Sequence, residues 1–537
     1  MNMVKGLTIC LALVLGVVGL TAQNPEWQWA AVAGGLNSEK SHDIATDSQG
    51  NQYITGCFQG TATFGPYTLI SSGENDIFAA KLDPTGNWLW AVRAGGISND
   101  YSYGIAIDWE GNAYLTGYFQ ASAGFGSDTL TSSGYNDIFI AKLAPAGNWL
   151  WAIRSGGTGN DSGRGITVDD EGNAYLTGFF QSSVGFGPYT LTSSGGFDIF
   201  IAKLGPNGNW LWAFWAGGTG DNFGLSIAID NQGNTYLTGE FNYTATFGAY
   251  TITASGEWDV FAAKLDPAGN WLWAAKAGGT SFDAGNSVSV DGSGNAYLTG
   301  YFYGIATFGA HTLISNGEGD IFTAKLGEAG NWLWAVSAGV VGYSDIGQGI
   351  AVDGAGNAYL TGYFWDTATF GVHTIASCGE NDIFIAKLDP DGYWLWVVSA
   401  GGEYWEEGLG ITVDAADNAF LTGHFSGAVS FGATTHISNG DHDIFVAKLS
   451  FQAARPKPPE NLYLSRLGND ILLSWDAVNL DTNNQSLIPD AYLVYSSTDA
   501  DPDTFNFLGE VVCNSYTHIG ALTDYIEHFY RVVAVQN

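Results

Sequence analysis

Basic residues are scarce in this chain: 17 Lys and Arg stand against 53 Asp and Glu, for a formal net charge of -36. A surface of that sign repels phosphate backbones, which argues against a nucleic-acid partner and leaves cations or basic surfaces as the compatible ones. Cysteine is sparse too. Of the 4 cysteines, Cys10 belongs to the early apolar run, and Cys57, Cys378 and Cys513 fall at unrelated positions in odd number, so no disulfide framework is legible and these three read as buried small apolar residues rather than metal or redox groups. Beyond residue 20 no stretch reaches the roughly 20 apolar residues that a membrane-spanning helix needs. The early run from Leu7 to Leu20 follows Lys5 and precedes Thr21 and Ala22, the layout of a signal peptide over residues 1–22, so the protein is expected to be exported.

Glycine and aromatics are abundant, at 75 residues and 14% of the chain. With few helical spacings in sight, they point to many short strands and turns. The order behind them is an internal repeat. A tryptophan pair closes at Trp29, Trp90, Trp151, Trp212, Trp273, Trp334 and Trp396, at intervals of 61 residues and finally 62. Gly-Asn-x-Tyr-Leu-Thr-Gly starts at Gly50, Gly111, Gly172, Gly233, Gly294 and Gly356, and varies at Asp417-Asn418-Ala419-Phe420. Asp-Ile-Phe-x-Ala-Lys-Leu starts at Asp76, Asp137, Asp198, Asp259, Asp320, Asp382 and Asp443.

Each unit reads as four strands, in the second copy Gly104 to Asp108, Asn112 to Phe119, Asp137 to Leu143 and Asn148 to Ser155. Turns such as Asp108-Trp-Glu-Gly111-Asn112 supply the residues that tight hairpins need. A four-stranded sheet apolar on both faces cannot stand alone, and stacking seven of them radially buries both faces. The last unit has three strands and no Trp-Leu-Trp, whereas Trp27 to Ala33 is a lone strand at the other end. The expected fold is therefore all-β: a seven-bladed β-propeller over 23–451, four-stranded antiparallel blades, the last closed by the N-terminal strand. The paired tryptophans read as inter-blade core.

These motifs resemble the SBBP-type β-propeller repeat of exported bacterial proteins over about Trp27 to Leu449, a resemblance that implies the fold and no common reaction. The Leu-Asp-Pro-x-Gly-x-Trp part is also similar to the tryptophan-docking turn of quinoprotein propellers, over one hairpin. After a Pro-rich linker at 452–460, residues 461–537 resemble a fibronectin type III β-sandwich. Leu472 to Trp475, Tyr492 to Tyr495 and Phe529 to Val535 look like its strands B, C and F, with Trp475 as core and Tyr530 in the tyrosine-corner strand. The chain ends early for its last strand, so the sandwich is expected to be incomplete.

Function is less legible. The histidines fall in no metal-ligand spacing, and no nucleophile elbow or nucleotide loop appears. The face that carries the long Gly-Thr-Ala-Thr-Phe-Gly type connection (60–75 in the first unit) and the variable stretch after each Ala-Gly-Gly bears irregular aromatics, Tyr101, Tyr103, Phe197, Phe223, Trp258, Phe282, Tyr343, Tyr404 and Trp405, which suit contacts with a glycan or protein. It also repeats an acid: Glu39, Asp100, Asp161, Asp221, Asp283, Asp345 and Glu406. These are either weak Ca²⁺ ligands or caps of their own loops. The expected role is a monomeric, non-catalytic extracellular interaction protein without a cofactor, whose partner is a protein or glycan. A carbohydrate-active hydrolase or lyase with carboxylates in the channel is the alternative, and a structural envelope component the third reading.

Overall fold

The computed structural model describes residues 24–452 and, beyond them, the backbone of six strands. The expected signal peptide, the linker from residue 453 on, Cys513 and Trp475 lie outside the described residues. Every described regular element is a β-strand, and no helix long and apolar enough to cross a membrane occurs among the described residues. The chain divides into two compact units, Trp27–Ser450 and one formed by Met1–Glu26 with Phe451–Asn537.

The larger unit is made of repeated antiparallel meanders. β1 (Asn24–Gly35) precedes β2 (Glu39–Thr46), β3 (Gln52–Phe64), β4 (Tyr67–Leu82) and β5 (Trp88–Gly96), and β2 to β5 pair in sequence order. The turn between β2 and β3 is organised by one side chain. Asp47 accepts the N–H groups of Gln49 and Asn51 at 3.0 and 2.9 Å, and Gly50 takes φ 79°, which a side chain would resist. The same turn recurs from Asp108, Asp169, Asp230, Asp291, Asp353 and Asp414.

Later meanders open with Tyr101–Ile107, Ser162–Val168, Asn222–Ile229, Asp283–Val290, Ile346–Val352 and Glu406–Val413. The last has three strands of its own, ending in Asp443–Gln452, and β1 pairs with that strand. Trp27 meets Phe431 edge-on at 5.1 Å, Trp29 packs on Phe420 at 6.2 Å, and Trp29 Nε1 donates to the Pro84 carbonyl of the first meander. First strands of successive meanders lie side by side, and Glu406–Val413 lies beside both Ile346–Val352 and β2.

The core sits between meanders. Tyr53, Ile77 and Trp90 of the first pack with Ile105, Leu115 and Phe119 of the second. Buried tyrosine hydroxyls reach the next meander: Tyr53, Tyr114, Tyr236 and Tyr297 donate to the carbonyls of Gly111, Gly172, Gly294 and Gly356, the last at 2.9 Å. Beneath each ring a lysine of Ala-Lys-Leu is buried with the turn aspartate, as Lys81 is with Asp47 at 3.3 Å. The glycine of Leu-Thr-Gly is a close approach. A Cβ on Gly300 would lie 1.9 Å from the Ala284 carbonyl oxygen.

In the smaller unit the strands pair as two three-stranded antiparallel sheets. One contains Tyr463–Leu467, Asp470–Ser474 and Ser515–His518; the other contains Asn506–Val511, Ala491–Ser497 and Phe529–Val535. The last of these strands carries Tyr530.

Candidate functional site

At the start of the first strands the acids stand in pairs. Asp100 is fully buried; its Oδ2 accepts the Gly96 N–H at 2.7 Å and its Oδ1 the Gln120 N–H at 3.0 Å. Asp161, Asp283 and Asp345 repeat this with Gly157 and Gln181, Gly279 and Tyr303, and Val340 and Trp365. Glu39 and Glu406 accept from Gly35 and Gly402. Each ties down the loop that precedes its strand. Asp221 departs from the expected set: it sits in the loop and accepts the Phe197 N–H at 2.9 Å, while Asn222 fills the strand position.

Facing each of these acids is the aspartate of Asp-Ile-Phe from the preceding meander. A Cβ on Gly95 would lie 2.8 Å from Asp76 Oδ1 and 3.0 Å from Asp100 Oδ2, so both oxygens border one space. Oδ1 of Asp76, Asp137, Asp259, Asp320, Asp382 and Asp443 is buried without a hydrogen-bond partner. Burial, augmented by the facing carboxylate, pushes Asp100, Asp161, Asp283 and Asp345 up to about 7 and Glu406 up to about 8. Where Asn222 replaces the acid, its amide donates to Asp198 Oδ1 at 3.0 Å. Among the described residues no group of three or more His, Cys, Asp or Glu converges as a metal site.

The nine candidate aromatics do not form one loop surface. Tyr101, Tyr103 and Phe223 belong to first strands rather than loops. Tyr101 and Tyr103 pack with Tyr118 at 5.3 and 6.0 Å. Phe223 packs with Phe179, Phe197 and Trp258 at 4.8, 5.4 and 5.4 Å, and Trp258 bridges to the exposed Phe282. Tyr343 stacks on Trp365 at 5.1 Å, and Tyr404 and Trp405 remain 53% and 47% exposed in their loop.

The position that distinguishes the repeats lies elsewhere. All seven first strands carry a β-bulge, and the extra residues are His42, Tyr103, Arg164, Leu225, Asn286, Gln348 and Leu409. A bulge re-aims the inserted side chain. These seven line a single cavity of about 220 Å³. The sequence signal is small-x-small followed by Ile or Val, from Ser41-His42-Asp43-Ile44 to Gly408-Leu409-Gly410-Ile411, with x the chemically varied position. Sequence reasoning passed over it because a bulge is a property of strand pairing.

One wall of this cavity is charged. The Arg164 guanidinium lies 3.9 Å from the Tyr103 ring centroid and 5.2 Å from that of Phe179. Through these contacts it joins the tyrosine cluster to the phenylalanine cluster. His42 stacks near Tyr103 at 5.0 Å and engages the Ser102 carbonyl through Nδ1 at 2.7 Å; burial lowers its pKa to about 4. With that nitrogen as the donor, Nε2 of the neutral ring is an acceptor. Glu240, on the strand paired with Phe223, is raised by burial to about 7, with Arg164 acting in the opposite direction. A second, half-buried acid, Glu407, is also raised by desolvation, and lies 3.6 Å from His424 Nε2.

The SBBP β-propeller repeat matches residues 89–118, 150–178 and 334–363. An uncharacterized WD repeat-containing protein of Acanthamoeba polyphaga mimivirus is 26% identical over 529 residues, covering 78% of this chain and 38% of that protein. The regulatory protein FlaEY of Caulobacter vibrioides is 24% identical, covering 34% of this chain and 20% of its own length. The chain thus spans well under half the length of these relatives. Among solved structures, a fungal alcohol oxidase in complex with copper aligns over 96% of this chain and 93% of its own, at 12% identity and a TM-score of 0.41. A polysaccharide lyase acting on ulvan aligns over 76% and 97%, at 12% identity and a TM-score of 0.40. With the repeated meanders, the family and sequence matches make the chain a β-propeller repeat protein.

Proposed function

We propose that the meanders form one ring of seven blades, closed by β1, and that the cavity on its axis holds the ligand of an exported, non-catalytic binding protein. Side-by-side first strands, the pairing of β1 with Asp443–Gln452 and the Trp29 bond to Pro84 support the ring. Two three-stranded sheets support the reading of the smaller unit as a fibronectin type III-like sandwich. The observation that carries the function is the bulge position. Residues shared by all repeats are accounted for by turns, pairing and packing, whereas the bulge residue varies from His to Arg to Leu and faces the cavity. Ligands found on glycan and protein arrays should lose affinity when Asn286 and Gln348 are replaced by alanine, with the melting temperature held. Binding indifferent to both, and to substitutions at His42 and Leu225, would refute the assignment.

A second reading has its own observation. Glu240, half-buried and in the field of the cavity residue Arg164, is outside any ion pair among the described residues, and its pKa near 7 suits a general acid acting on a glycan. Polysaccharide turnover abolished by Glu240→Gln in a folded protein would establish the enzyme reading; no turnover across a polysaccharide panel would end it.

A further inference from the structure

We infer that Arg164 is the anchor of a carboxylate subsite, and that the channel ligand presents a sugar acid to it. The inference rests on the channel being the binding site. It begins from the cations. Nine lysines and arginines of the propeller unit pair with acids: Lys81, Arg93, Lys142, Arg154, Lys203, Lys264, Lys276, Lys325 and Lys387. Lys40 and Lys448 also enter no ion pair among the described residues, Lys448 lying over Phe420, so Arg164 is distinguished as the one arginine of the three in the propeller unit that lacks an acid partner. Among the described residues, Arg164 enters no ion pair, and its Nε is buried without a hydrogen-bond partner. In a chain of net charge -36, a guanidinium with no acid within ion-pair reach is exceptional.

Its surroundings fix it. Arg164 is the inserted residue of a bulge between Gly163 and Gly165, and the Tyr103 and Phe179 rings hold the guanidinium plane. A guanidinium so clamped loses little freedom when it accepts a partner, and its parallel N–H groups match the planar, bidentate geometry of a carboxylate. Arg164 is the one cation among the bulge residues, Lys40 acts on the same cavity through His42, and the Glu240 carboxyl lies in the Arg164 field, a balance that suits a monoanion better than a phosphate dianion. The rest of the cavity is furnished for hydroxyl groups: the Asn286 and Gln348 amides and the acceptor nitrogen of His42 line the same 220 Å³, a volume on the scale of one sugar ring. A peptide end would need apolar side-chain pockets, and of the bulge residues only Leu225 and Leu409 are aliphatic.

Calorimetry or ligand-observed NMR would compare uronate oligosaccharides with neutral oligosaccharides of equal length and with peptides ending in a free carboxylate. Wild type should bind the uronates at least tenfold tighter than the neutral sugars. Arg164→Gln should erase the difference and Arg164→Lys should restore part of it, with melting temperatures near wild type. Arg154→Gln, which removes a cation outside the cavity, should leave the preference intact. Equal binding of uronates and neutral sugars, or preference for peptide carboxylates, would overturn the sugar-acid subsite. A uronate lost on Asn286→Ala but bound at wild-type affinity by Arg164→Gln would overturn this inference while leaving the channel reading standing; indifference to every cavity substitution would end both.

Discussion

Replacing Asp345 by asparagine makes one acid pair resemble the pair that the fourth meander already has. In that natural case the Asn222 amide donates to Asp198 Oδ1 at 3.0 Å. Asp345 instead faces Asp320, whose Oδ1 has no donor, and both are fully buried. Among the described residues no Lys or Arg is ion-paired with either carboxylate. Asp345 accepts the Val340 and Trp365 N–H groups, and Asp320 the Asn316 N–H at 3.1 Å. Burial, with Asp320 adding to it, raises Asp345 to about 7, while Asp320 rises to about 6. In the unfolded chain Asp345 titrates near the ordinary 3.8 to 3.9.

The sign follows from proton counting. Between roughly pH 4 and pH 7 the native state keeps a proton that the unfolded state has released, so stability falls as pH rises through that window and stays low above it. Three pH units at 1.36 kcal/mol each make the loss about 4 kcal/mol. Asparagine cannot ionise and brings its own N–H to the facing carboxylate, at the loss of the bond that Oδ2 accepts from the Val340 N–H, so Asp345→Asn should gain on wild type by about that amount as pH rises from 4.5 to 8.5. At about 2.1 cal/mol/K of unfolding entropy per residue, a unit of this size shifts its melting temperature by about 1 °C per kcal/mol, hence about 4 °C. Calorimetric melts of both proteins across this range test it. A difference in melting temperature that is the same at pH 4.5 and pH 8.5 would show that the pair holds no proton.

The acid caps should not need calcium: chelator ought to leave the melting temperature unchanged, and a rise of several degrees with millimolar Ca²⁺ would favour ligation over capping. Deleting Gln23 to Ala33 strips the last meander of its pairing with β1 and exposes an edge, so aggregation or a large drop in melting temperature is expected; a monomer that melts as before would refute ring closure. Gly300→Ala forces a Cβ to 1.9 Å from the Ala284 oxygen and should cost about 3 kcal/mol or more by denaturant titration, whereas a cost below 1 would mean the strands part easily. Tyr404→Ala and Trp405→Ala should stay within about 0.5 kcal/mol of wild type, while Phe223→Ala, inside an aromatic cluster, should lose about 2; equal costs would contradict the difference in packing.

The strands, their turns and the tryptophan packing were legible in the sequence because they rest on local chemistry copied every 61 residues. Asp47 and Gly50 make their hairpin from four residues of chain, and repetition multiplies the signal sevenfold. Capping by Asp100 or Asp345 could be stated as an alternative from position alone. Its facing partner could not, because Asp76 and Asp100 are brought together only when neighbouring meanders pack. Assigning Asp221 to that ring followed residue type rather than position: four residues after Gly218 stands Asn222, as Asp100 stands four after Gly96, and strand pairing with Phe241 puts the asparagine, not the neighbouring acid, at the site. Tyr103 and Phe223 looked like loop aromatics until pairing placed them in strands. The cavity is the clearest case. His42, Tyr103 and Arg164 are about 61 residues apart in the chain, and nothing local relates them; a bulge in each first strand and the lateral packing of those strands aim them at one space, so their meeting is a tertiary fact.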